Sequence, residues 1–218
     1  MVIDVLTTIA VVTAVAVGLE LLETGIGWLI ALWGKKNRPM PETLQVELSD
    51  TDRQMAEETQ KLMREVFGDD IAKRYAEASA LDRINMTREF SERLAKLYGV
   101  DVDIDVFIEK STTLGYYCHD DHKLRLNIYM IDISKDHEHF NKIVELMMIA
   151  IIHEMRHAVQ HKALEQPGFW NIDDVRRAQW ARNFENYIQP SEDAEMYQRQ
   201  VVEADANTFA GAAVKGMV

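Results

Sequence analysis

Cysteine is almost absent from this chain: Cys118 is the single one in 218 residues. An intrachain disulfide is therefore excluded, and nothing points to an oxidising compartment. Beside histidines a lone thiol can serve as a nucleophile, but the plainer reading is a small, half-buried apolar residue. Basic residues are also scarce, 24 Lys and Arg against 36 Asp and Glu, for a formal net charge of −12. The deficit is uneven. Residues 1–40 hold Asp4, Glu20 and Glu23 against Lys35, Lys36 and Arg38, which cancel, so the whole −12 falls on residues 41–218. A surface of that sign repels a phosphate backbone, which excludes nucleic acid as a general partner. There is no internal repeat and no low-complexity tract, and the 47% apolar content is that of a folded chain, not a disordered one.

The longest apolar run lies at residues 5–33, interrupted by Glu20, Glu23 and Thr24. Its unbroken part, Val5 to Leu19, is 15 residues, short of the roughly 20 that span a bilayer. The basic n-region of a signal peptide is missing, since the chain starts Met-Val-Ile-Asp. Trp28, Trp33 and Lys35-Lys36-Asn37-Arg38 resemble an interfacial belt with a positive-inside flank. On that reading the segment anchors the chain in a membrane and leaves residues 41–218 in the cytoplasm. The alternative is a helix or helical hairpin packed on the domain or in an oligomer. Pro39 and Pro41 mark the boundary between this apolar segment, 1–40, and a folded domain, 41–218.

Helical periodicity predicts two helices at 50–66 and 71–97, with Met55, Leu62, Met63 and Val66 on one stripe and Ile71, Tyr75, Ala78 and Leu81 on the other. The pattern changes at Val100. VDVDIDVFIE alternates with period two, and Gly115–Cys118 and Lys123–Tyr129 read as strands joined by a turn at His119–His122. These elements predict a small antiparallel sheet with one buried face. Ser134 or Asp136 then caps a helix from about His137 to His161, apolar on every side across LMMIAII and hence buried. Further helices are expected at 172–188 and 192–215, giving an α+β domain that is mostly helical.

Within the buried helix stands His153-Glu154-Met155-Arg156-His157, an HExxH motif. One turn separates the two imidazoles, which leave one face roughly 6 Å apart, the spread that lets both reach a single zinc ion. Glu154 is angled to take a proton from water at that ion. A catalytic zinc needs a third protein ligand and an open position. His161 lies another turn on, about 12 Å from His153 along a straight helix, so it reads as a neighbour of the site or a surface residue. Residues 200–210 offer a better donor. Glu203 and Asn207 share one face of the last helix, and Val202, Ala206, Phe209 and Ala213 share another. Glu203 outreaches its rival Asp205, Glu192 and Glu195 are weaker rivals, and Asn207 is placed to support a ligand.

HExxH on a buried helix, followed by Glu203-Ala204-Asp205-Ala206-Asn207-Thr208-Phe209-Ala210, resembles the ImmA/IrrE-type zinc metallopeptidases of the gluzincin group. Leu114–Tyr117 and Leu124–Asn127 are similar to the sheet that precedes the active helix in that family. The resemblance spans about residues 100–213. It implies a zincin-like domain, Zn2+ on His153, His157 and Glu203, and Glu154 as the catalytic base in peptide hydrolysis. No DNA-binding module accompanies the motif. An edge strand would hold an extended protein or peptide substrate. Tyr116, Tyr117, His119, His122, His161 and Tyr197 are the candidate donors to an oxyanion. The alternative is a zinc-binding regulatory or interaction module without turnover.

Overall fold

The computed structural model describes residues 46–111, 113–134 and 140–217. The apolar segment at 5–33 and the boundary near residue 40 lie outside the described residues, as does the expected helix start at Asp136–His137. Among the described residues no helix is long and apolar enough to cross a membrane. The architecture is α+β and mainly helical, with one three-stranded sheet.

Helix α1, Asp50–Phe67, begins at a reciprocal cap: the Ser49 hydroxyl accepts from Asp52 N, and the Asp52 carboxylate accepts from Ser49 N. It buries Ala56, Leu62, Met63 and Phe67. The single helix expected over 71–97 is two, α2 at Ile71–Glu77 and α3 at Ala80–Tyr98. Ala78 is extended, and the Ser79 hydroxyl accepts from Asp82 N, so a serine that competes for backbone N–H groups restarts the helix. The break turns Leu81 out of the expected stripe. Ile71 and Tyr75 are fully buried, while Leu81 is 65% exposed.

The sheet is mixed, not antiparallel. Strands β1 (Asp103–Phe107), β2 (Gly115–Cys118) and β3 (Lys123–Asn127) run in the order β1-β3-β2. β2 pairs antiparallel with β3 across the His119–His122 turn, and β1 lies parallel to β3 on its other side. Alternation records which face of a strand is buried and carries no information about the direction of its neighbour. The expected strand end at Tyr129 also moves, because buried Asn127 stops β3. Its Oδ1 accepts from Tyr129 N at 3.1 Å and starts α4, Tyr129–Ser134, while its Nδ2 donates to Glu109 O.

Helix α5, Phe140–Glu165, occupies the centre. Met147, Met148, Ile151, Ile152, Met155 and Val159 on it are fully buried, and it packs on α2, α4, α8 and β2. After a short turn of helix at Phe169–Asn171, α6 runs over Asp174–Glu185 from an Asp173 cap. The last expected helix is again two, α7 at Ala194–Gln198 and α8 at Val201–Val214. Gln200 causes the break. Its side chain accepts from Ile188 N and donates to Ile188 O, and Asn183 Oδ1 accepts from Val202 N at the start of α8. These partners come from a distant loop and helix, so no local pattern announces them.

Candidate metal centre

His153 and His157 leave the same face of α5, with their Nε2 atoms 3.1 Å apart. Helix α8 packs its Val202, Ala206, Phe209 and Ala213 stripe into the core and so delivers Glu203 to the pair. Glu203 Oε2 lies 3.3 Å from His153 Nε2, and Oε1 lies 3.3 Å from His157 Nε2. All three residues are buried, and among the described residues they form the one group of three such donors within 4.8 Å of one another. A tetrahedral ion with ligands at about 2.0–2.1 Å has ligand–ligand edges of about 3.3 Å, so this triangle fits a divalent metal. The donor set, two imidazoles and a carboxylate, is also one that zinc accepts.

Electrostatics support the fit. Burial pushes the Glu203 carboxyl up, but His157 and His153 outweigh it and hold the group ionised well below the usual range. Burial pushes His157 down, yet the Glu203 carboxylate prevails and lifts it to about 9. A buried anion facing two convergent nitrogens calls for a cation, and a proton on His157 answers that call when no ion is bound.

Glu203 is gripped from behind. The Tyr187 hydroxyl donates to Oε1 at 2.7 Å and the Tyr197 hydroxyl to Oε2 at 2.6 Å. The helix break at Gln200 allows this, because it turns Tyr197 of α7 back onto the carboxylate six residues later. Both phenols lie above the ordinary tyrosine range, first through burial and then through the Glu203 charge. Nothing in the chain around Tyr187 marks it as a partner of the site. Asn207, expected to support a ligand, does not do so: its Oδ1 is buried with no hydrogen-bond partner among the described residues.

Glu154 lines a cavity of about 840 Å³ together with His157. Its Oε2 accepts from Tyr117 N of β2 at 3.0 Å. Burial raises the Glu154 pKa, and this outweighs the lowering by His153 and His157. Aromatic rings line one wall. His161 lies between His119, stacked at 3.7 Å, and Phe184 at 4.1 Å, and it is absent from the donor triangle. Burial and then His119, His157 and His122 hold it down to about 3, so it stays neutral.

The other candidates are placed elsewhere. Asp205 turns away from the triangle into a buried ring of alternating charges with Arg156, Asp52 and Arg176. Arg156 Nε reaches Asp205 Oδ2 at 2.8 Å and its Nη2 lies 2.8 Å from Asp52 Oδ1, an ion pair rather than an aligned hydrogen bond. Arg176 closes the ring to Asp52 at 2.7 Å and to the second oxygen of Asp205. Arg156 is a middle residue of the HExxH motif, and a cation in an apolar helix was the signal that could have exposed this ring. Exposed Glu192 accepts from Gln189 N, and exposed Glu195 pairs with Arg199. Cys118 is a half-buried free thiol at the end of β2. Of the candidate oxyanion donors, Tyr116 is hydrogen-bonded to Arg125, and Tyr197 is committed to Glu203.

Fold and site together define an α+β chain with a buried His, His, Glu cluster that meets an open cavity through His157. Comparison with protein-family models, curated proteins and solved structures gives no match, so the reading of this site rests on its own geometry.

Proposed function

We propose that the protein is a zinc-dependent peptidase, with His153, His157 and Glu203 holding the ion and Glu154 serving as general base. The observation that carries this reading is the 3.1–3.3 Å donor triangle opening, through His157 and Glu154, onto one cavity. The cluster has three protein donors, which suits a catalytic ion with a free position better than a closed structural site. Bound zinc supplies a Lewis acid that brings the pKa of water toward 7 and polarises a carbonyl.

The chain's own residues supply the rest. Glu154, held by Tyr117 N, takes a proton from the attacking water and returns it to the leaving amine. Tyr187 and Tyr197 keep Glu203 in register with the histidines. Strand β2 is a sheet edge, and Tyr117 N points away from β3 toward Glu154, so this edge faces the cavity. An extended protein or peptide substrate can add to it as a further strand.

The test compares metal content and cleavage of a mixed peptide library by the full chain and two variants. The parent is expected to carry about one zinc per chain, and Glu203→Ala to lose it. Glu154→Gln should keep the metal and lose roughly 10²–10⁴ in rate. Parent-level cleavage by Glu154→Gln would remove the base from the scheme, and a parent that takes up no zinc would end the reading.

A further inference from the structure

One amide inside the core links two of the three donors. Gln160 lies three residues beyond His157 on α5 and is fully buried. Its Oε1 is 2.8 Å from His157 Nδ1. Its Nε2 is 2.9 Å from the Val202 carbonyl oxygen and 2.8 Å from Asp205 Oδ2.

Hydrogen-bond chemistry fixes which end of the amide faces which neighbour. The Val202 carbonyl can only accept, and Asp205 is a carboxylate that also accepts from Arg156 and Arg176. Both demand donors, and the amide NH2 has two hydrogens to give. The carbonyl end of Gln160 is left for the imidazole, and it can only accept. His157 Nδ1 must therefore carry a hydrogen. The nitrogen that remains, Nε2, is the one facing His153 Nε2 and Glu203.

The same amide ties α8. Val202 directly precedes Glu203, and Asp205 lies two residues beyond it, so the bonds from Gln160 hold the backbone on which Glu203 stands. The ring of Asp52, Arg156, Asp205 and Arg176 anchors this arrangement, because both arginines hold the Asp205 carboxylate from the far side. His153 differs: its Nδ1 is buried with no hydrogen-bond partner among the described residues. Among the described residues, hydrogen bonds from outside the donor triangle thus reach His157 and Glu203.

We propose that Gln160 is a positioning residue of the metal centre, holding the Nδ1–H of His157 so that Nε2 is the nitrogen left to the ion, and tying that ring to α8 so that two donors share one support. This rests on the metal-binding half of the function proposed above and not on peptide hydrolysis.

The experiment uses the full chain, loaded with zinc for affinity and with cobalt for spectroscopy. Gln160→Met keeps the length of the side chain and removes both its acceptor and its donors. Competition with a chromophoric chelator is expected to show zinc bound 10–100-fold more weakly than by the parent. The cobalt-loaded proteins give a readout that a merely structural role would not move. The exchangeable ring N–H resonance of His157 should be protected from solvent in the parent and exchange faster in Gln160→Met. Zinc binding by the variant within twofold of the parent overturns the proposal. So does a long-range 15N–1H spectrum of the zinc-loaded parent in which His157 ligates through Nδ1, a measurement that decides even if the variant fails to fold. A parent that binds no zinc removes both readings, whereas a parent and variant that bind equally remove this one alone.

Discussion

Deleting the hydroxyls behind Glu203 tests whether a carboxylate must be gripped to serve as the third donor. Tyr197→Phe and Tyr187→Phe each remove one oxygen and leave the ring in place. Hydrogen bonds to a charged group contribute about 1.5–3 kcal/mol, and about 1.4 kcal/mol corresponds to tenfold in affinity. Tyr197 is 5% exposed and its bond to Oε2 is 2.6 Å, so water is a poor replacement for the hydroxyl. Zinc affinity should fall about tenfold or more in Tyr197→Phe. Tyr187 is half-buried, and water can enter in its place, so Tyr187→Phe should lose only about threefold. The two hydroxyls hold opposite oxygens of one carboxylate, so the double variant should lose more than either and the losses need not add. Chelator competition measures the affinities, and thermal unfolding of the metal-free proteins separates folding effects. A double variant that binds zinc within twofold of the parent would refute the reasoning, for it would show Glu203 to be fixed by the packing of α8 alone.

Two further outcomes concern the buried charge ring. Arg156→Met leaves Asp52 and Asp205 with Arg176 as their shared counter-ion and should cost roughly 3–5 kcal/mol, lowering Tm by about 10 °C in a thermal melt. Asp52 gives the pH dependence. Burial pushes its carboxyl up, but Arg156 and Arg176 prevail and hold it at about 2, against 3.8 when free. A depressed carboxyl stabilises the fold above its unfolded pKa, so a contribution of about 2 kcal/mol should be intact above about pH 4 and fade as pH falls toward 2. Denaturant midpoints of the parent and Asp52→Asn should converge over that range, and a constant gap would contradict the assignment.

Much of this was written in local pattern. Residues 147–152 are apolar on every side, which marks α5 as central, and the spacing of His153 and His157 puts both rings on one face whatever surrounds them. The reach of Glu203 past Asp205 likewise follows from helix geometry. What stayed hidden depends on partners remote in the chain. Alternation in 100–109 could not say that β1 runs parallel to β3. Gln200 ends α7 because Ile188 and Asn183 are nearby in space, and that break brings Tyr197 to Glu203. Ser79 is the exception, since Ser79-x-x-Asp82 is a local cap signal that helical periodicity overrode. Tyr187 and Gln160 have no sequence signature at all, because their roles depend on what faces them across the core.

Helix α8 has two duties: one stripe fills the core while Glu203 closes the donor triangle. On the proposed metal reading an ion there would latch the helix to α5, because the helix could not leave without surrendering both the ion and its apolar contacts. The latch tightens with supply, by about 4 kcal/mol when free metal stands a thousandfold above Kd. If the triangle holds metal as proposed, the persistence of the folded protein becomes a record of the ion available around it.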